Sequence, residues 1–346
     1  VRGVQPRIPV APTAPVAGPN KRLCSLDALK VIGCISVVLL HALVPNVERA
    51  DDSLTWMAAN LLSAATRQAV PLFFMISGAL MLRRDFPSLP AHLGRVAVRY
   101  GLPLLGGLAA YKALAISQGD PTGFFNTVFY NVRANLGFHL WFMWEFLGLA
   151  LVAPILRPIA ADKRAAWLFV ALWAAYCVVA PWLRFLDVTI PVANMLFFPH
   201  TGYFILGYLL VASPRRVPPL FLVCGMGVAI VATAGLTAEF SLPFGRLDVR
   251  FYDPASPLVL LLCACLFKLC LQGLTGPSPK ALRFLAGATF TVYIYHVLAL
   301  SRLSHFIGPT SLFMSVCVHT PLAFAACLLL YAIARRVPGV KYFFPG

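Results

Sequence analysis

The chain has 346 residues, 60% of them hydrophobic and only 12% charged. Ordinary soluble domains are about 45–50% apolar and about 25% charged, so this composition excludes one. The net charge of +16 invites a nucleic-acid reading, but the basic residues sit in short loops between apolar blocks and not on one helix face, so no nucleic-acid partner is expected.

The first stretch, "VRGVQPRIPVAPTAPVAGPNKR" (1–22), has no apolar core of the kind a cleavable signal peptide carries, and reads as a disordered, Pro-rich cytoplasmic tail. After it come apolar blocks near 20 residues long, the length that crosses roughly 30 Å of hydrocarbon. We read ten spans, near 27–45, 54–82, 97–117, 138–156, 165–183, 194–212, 219–237, 255–275, 284–302 and 312–334. "GFFNTVFYNVRANLG" (123–137), between the third and fourth, reads as an amphipathic helix lying in the interface. The expected fold is an all-α, polytopic transmembrane helix bundle, with one membrane domain over 23–338 and a short C-terminal tail over 339–346. Eight of the nine cysteines fall inside apolar blocks and none has CxxC spacing, so they read as small apolar fillers, with neither a disulfide framework nor a metal site expected.

The Lys and Arg residues test this threading. With ten spans, 17 of the 28 fall on the side of the two termini, 6 on the other, and 5 within spans. Cytoplasmic loops carry the excess of basic residues, which puts both ends in the cytoplasm and the protein in the inner membrane.

The spans hold ionisable groups that hydrocarbon penalises by several kcal/mol each. Lys30 and His41 are 11 residues apart in "LDALKVIGCISVVLLHALVP". At 100° per residue they share a helix face about 16 Å apart, with Lys30 near the cytoplasmic end. Counted from the cytoplasmic edge, His41, Arg67, Glu145, His200, His296 and His319 all fall at a depth of roughly 18–24 Å. Six groups at one level read as a polar chamber in the outward half of the bundle. Histidines also act as hydrogen-bonding glue between membrane helices, the competing reading for His200, His296 and His319. Glu145 has a competing role too, as the counter-charge to Arg67. Lys112, Lys268 and Arg99 lie near span ends and can snorkel, and the tyrosines and tryptophans at span ends read as interfacial belt.

"LDALKVIGCISVVLLH" followed by "RQAVPLFFMISGALMLRRD" resembles the bacterial acyltransferase-3 family of integral-membrane O-acyltransferases. The family pattern is a basic residue, ten residues, then His, here Lys30 and His41. Members usually carry Arg at the first position, and Lys keeps the charge while losing the bidentate fork. Arg67, Pro71, Phe73, Phe74, Ser77 and Gly78 match the second-span signature. "FHLWFMWEFLGLALVAPIL", "GYFILGYLL" and "TVYIYHVLAL" are similar to later blocks, so the resemblance runs from about residue 24 to 335.

The resemblance implies an acyl-CoA donor, normally acetyl-CoA, with a carbohydrate of the cell envelope, free or lipid-linked, as acceptor. On that basis Lys30, Arg95 and Arg99 hold the CoA phosphates. His41 either takes the proton of an acceptor hydroxyl or carries the acyl group itself. Arg67 stabilises the oxyanion, and Glu145 orients or balances the cations. His200 and His296 form a secondary polar layer. Two other classes compete: a transporter or flippase, whose buried charges would look similar, and a non-catalytic membrane scaffold. No repeated halves are visible, and a scaffold leaves the charged layer without a reason.

Overall fold

The computed structural model describes residues 23–86, 88–117, 119, 138–182, 200–307 and 311–344. The N-terminal tail, the expected interfacial helix at 123–137 and the first residues of the expected span 194–212 lie outside these. Among the described residues every regular element is helical, and the pairing outside helices is a single bridge between Leu23 and Pro277.

The helices are α1 (Cys24–Ala42), α2 (Val44–Val47), α3 (Leu54–Thr66), α4 (Ala69–Met81), α5 (Leu89–Val96), α6 (Leu102–Ser117), α7 (Trp141–Ala161), α8 (Lys163–Trp173), α9 (Thr201–Ala212), α10 (Pro219–Ser241), α11 (Pro257–Gly273), α12 (Lys280–Ile307), α13 (Leu312–Met314) and α14 (Thr320–Ala334). Their starts carry local signals. Ser53 accepts from the Trp56 amide at 3.1 Å to cap α3, Asp162 accepts from Arg164 at 2.8 Å to cap α8, and Ser256 accepts from Leu258 to cap α11. Each satisfies an amide that the first helical turn leaves open.

Seven helical stretches among the described residues are long and apolar enough to cross a bilayer: Cys24–Ala42, Trp141–Ala161, Lys163–Trp182, Pro219–Phe244, Arg250–Gly273, Lys280–Ile307 and Leu312–Ala334. Ten were expected. The expected span 54–82 is two helices of 13 residues each, α3 and α4, meeting at Arg67 and Gln68. Pro71 is the reason: it has no N–H to give the Arg67 carbonyl, and its ring crowds that carbonyl. Proline also shapes three wider turns. π-helical segments cover Ala97–Gly101, Ala174–Val179 and Ser315–His319, and Pro103, Pro181 and Pro321 each stand two residues past the end of one. In each case the residue four before the proline loses its normal partner and the helix widens to accommodate it.

Helix α1 is central, packing against α3, α4, α11, α12 and α14. The outer helices turn bulky apolar side chains such as Leu54, Ile155, Phe221 and Val231 outward, as a lipid-facing surface requires. The closest approach is between α4 and α9. A Cβ on Gly78 would stand 1.7 Å from the Phe204 carbonyl oxygen, and one on Gly207 would stand 2.0 Å from that of Met75. The two glycines are reciprocal, each letting the other helix's backbone in, the small-residue packing that membrane helices use. Gly78→Ala is therefore expected to destabilise by more than about 3 kcal/mol, at or beyond the upper end of ordinary overpacking, because backbone and not a side chain must move. Gly148→Ala on α7, where a Cβ meets nothing within 4 Å, is expected to be neutral or to stabilise by up to about 1 kcal/mol. Thermal unfolding of the two variants in detergent checks the contrast.

Candidate active site

The sequence layer divides into two groups. The first is a cluster of three histidines. His41, near the end of α1, has its ring centroid 5.0 Å from that of His296 on α12 and 6.0 Å from that of His139, and His139 and His296 are 5.0 Å apart. His139 lies in a 3-10 turn, Phe138–Leu140, just ahead of α7. His139 and His296 are buried, and His41 is half-buried with its Nδ1 enclosed.

Backbone carbonyls set the tautomers. Nδ1 of His296 lies 2.7 Å from the Tyr293 carbonyl and 3.0 Å from that of Val292. Carbonyls only accept, so Nδ1 carries the proton and Nε2 keeps its lone pair. Nε2 of His139 lies 3.2 Å from the Ile294 carbonyl and by the same logic donates. The Tyr111 hydroxyl donates to Ile294 O at 3.0 Å and accepts from the Leu298 amide at 3.2 Å, so it sits across one rung of the α12 ladder. The Tyr293 hydroxyl donates to the His139 carbonyl. Tyr111 and Tyr293 are buried; they belong to this cluster and not to an interfacial belt.

Arg67 occupies the break between α3 and α4, half-buried. Its Nε donates to Ser63 O at 3.2 Å, and its guanidinium carbon lies 3.7 Å over the Tyr252 ring. Tyr252 is held by Asn60, to which its hydroxyl hydrogen-bonds. This stack orients a cation that a continuous helix would aim elsewhere.

Glu145 does not neutralise Arg67. Its Oε1 accepts from Nδ1 of His200 at 2.7 Å and from the His200 amide at 3.2 Å, and the His200 ring stacks on Phe74 at 4.9 Å. This pair is the second group. It connects to the histidine cluster through the rings of Phe74, Phe142 and Tyr293. His319 is buried in its π turn, which packs on α1, and makes no ring contact with the cluster.

A cleft of about 140 Å³ opens beside α1. Lys30 and Arg99 line it together with Asp27, Ser77 and Tyr100, and Tyr293 lines it at the histidine cluster. Nζ of Lys30 lies 3.6 Å from Oδ1 of Asp27, and Asp27 in turn accepts from the Ser278 hydroxyl at 2.7 Å. Asp27 thus anchors the Lys30 ammonium at the cleft wall. Arg95 is exposed on α5 and does not line this cleft. Among the described residues, no group of three or more His, Cys, Asp or Glu has the arrangement of a metal site.

The family model described as an acyltransferase domain, acyltransferase-3, matches residues 24–334. The chain belongs to the acyltransferase-3 family. No curated protein and no solved structure matches it. Membership makes this a multi-pass membrane acyltransferase.

His139, Tyr111 and Tyr293 are the residues that depth counting passes over. His139 lies 18 residues from Arg157, about 27 Å by helical rise, beyond the counted level. Its signal was the HLWF-type block that contains it.

Proposed function

We propose that this acyltransferase moves an acetyl group from cytoplasmic acetyl-CoA to a hydroxyl of a cell-envelope or exported carbohydrate, free or lipid-linked. The observation that carries the reading is the cleft whose lining holds two cations, Lys30 and Arg99, and also Tyr293, a ring neighbour of His139 and His296. A CoA thioester has phosphates at one end, suited to Lys and Arg, and an acyl carbon at the end of an extended arm. The helical separation of Lys30 and His41, about 16 Å, matches the length of such an arm.

In the reaction His41 takes the proton of the acceptor hydroxyl as its oxygen attacks the thioester carbonyl. The oxyanion faces Arg67, the C–S bond breaks, and the CoA thiolate leaves and takes up the proton from His41. His296 and His139 position His41 in a site shielded from water. Glu145 and His200 act at a distance, holding α7 against the start of α9.

The test uses purified enzyme, labelled acetyl-CoA and surface glycan from a strain lacking the gene. Label entering the glycan supports the reading, and a glycan that gains no acetyl mass overturns it. Label on His41 without acceptor would route transfer through a covalent acyl-enzyme.

Donor binding makes a separable prediction. Lys30→Ala is expected to raise KM for acetyl-CoA by about 10-fold, the worth of one charge-assisted phosphate contact, with kcat changed less than threefold. Lys30→Arg is expected to remain active. Initial rates at varied donor concentration check both.

This reading puts Lys30 and both chain ends in the cytoplasm, the inner membrane around the bundle, and ten crossings in the full chain. In a background with the nine native cysteines replaced, Ser304→Cys is expected to react with an impermeant thiol reagent from outside and Ser213→Cys is not. Reversed labelling would put Lys30 on the wrong side for CoA.

A further inference from the structure

A second recess, of about 280 Å³, lies at the start of α1 between the ends of α9 and α11. Arg215, Arg216 and Lys268 line it with the hydroxyl residues Ser25 and Ser213, and no carboxylate does. Leucines of α9 and α11 complete the wall.

The recess is built rather than incidental. Lys268 on α11 is only 7% exposed, and among the described residues its ammonium makes one hydrogen bond, to Ser213 O at 3.3 Å. An ammonium has three N–H groups, and one buried with a single neutral partner is costly. The two arginines lie on the loop between α9 and α10, which is clamped in place. Gln272 accepts from the Val217 amide at 2.8 Å and donates to the Val217 carbonyl at 2.9 Å. The rim is fixed by the Cys24 amide donating to Gly276 O at 3.2 Å. Neither arginine is paired with a carboxylate among the described residues. Three cations gathered without an acid repel one another unless an anion joins them.

We propose that this recess is a phosphate-binding site. Arginine forks and a lysine ammonium are the groups that hold phosphate, and hydroxyls supply further donors. Basic pockets between helix ends at the membrane surface take anionic lipid headgroups, and the leucine wall suits an adjoining acyl chain. The same chemistry would hold a soluble phosphate ester. The site is independent of the acyl-transfer reading.

The test is thermal unfolding of the protein in a non-ionic detergent, with three additives. Dioctanoyl phosphatidylglycerol is expected to raise the unfolding temperature of the wild type by about 3 °C or more at saturation. Dioctanoylglycerol, without phosphate, is expected to do nothing. Glycerol 3-phosphate distinguishes the source: no shift assigns the site to lipid, and an equal shift assigns it to soluble phosphate esters. The variants are Lys268→Met and the exposed pair Arg215→Gln with Arg216→Gln, which carries little risk to folding. Loss of at least two thirds of the shift in the double variant supports the site. The proposal fails if dioctanoylglycerol stabilises as well as the phospholipid, if the phospholipid gives no shift in the wild type, or if the double variant keeps the full shift.

Discussion

His41→Ala is expected to lower kcat by about 10³-fold or more, within the range a positioned general base supplies, while the protein still inserts and unfolds at a near-normal temperature. Folding should survive because His41 is half-buried, unlike the fully enclosed His296. In the proposed reaction His41 is the cluster member that meets the acceptor. Acetyl transfer at saturating donor, with the unfolding temperature measured alongside, checks this; activity within tenfold of wild type would remove His41 from the chemistry. His296→Ala gives a sharper readout of positioning. Its Nδ1 is committed to the Val292 and Tyr293 carbonyls, so its Nε2 lone pair is held at a fixed angle. Removing it should shift the pH–rate profile of the His41 step, whereas a packing role alone would change only stability.

Arg67→Met is the second large effect. We expect kcat to fall by about 10²–10³-fold, the usual cost of one oxyanion donor in a water-poor site, with KM for the donor nearly unchanged. The guanidinium is held by Tyr252 beneath it and Ser63 beside it, which leaves its terminal nitrogens for the proposed oxyanion role. Arg67→Lys should recover part of the rate through charge, and less than all of it because the lysine cannot reproduce the fork. A Met variant with kcat within threefold of wild type would rule out the oxyanion role. Tyr252→Phe, which keeps the ring under the cation, should be mild. Tyr252→Ala should lose more than Tyr252→Phe.

Much of this protein is written locally. Apolar blocks of span length, basic loops and prolines are read one segment at a time, and they specify a helical membrane bundle. The signatures around Lys30, His41 and Arg67 carry the acyltransferase class. Pro71, Pro103, Pro181 and Pro321 are equally legible as prolines, and the backbone chemistry that widens or breaks a helix follows from each. Depth along a span is also local, since rise per residue is constant, and it placed His41 and His296 at one level.

Direction around a helix axis, and the neighbour it faces, are not local. The counting put Glu145 and Arg67 at one depth, yet Glu145 pairs with His200, because α4 and α9 pack closely through Gly78 and Gly207 and the Phe74 ring lies against His200. His139 enters the cluster from a 3-10 turn outside the counted level, and Tyr111 enters through a rung of another helix. The sequence by itself determined the bundle, its reaction class and the depth of its charges. Only the tertiary structure decided which charges meet, because partnership between spans depends on helix rotation and on contacts made by residues far apart in the chain.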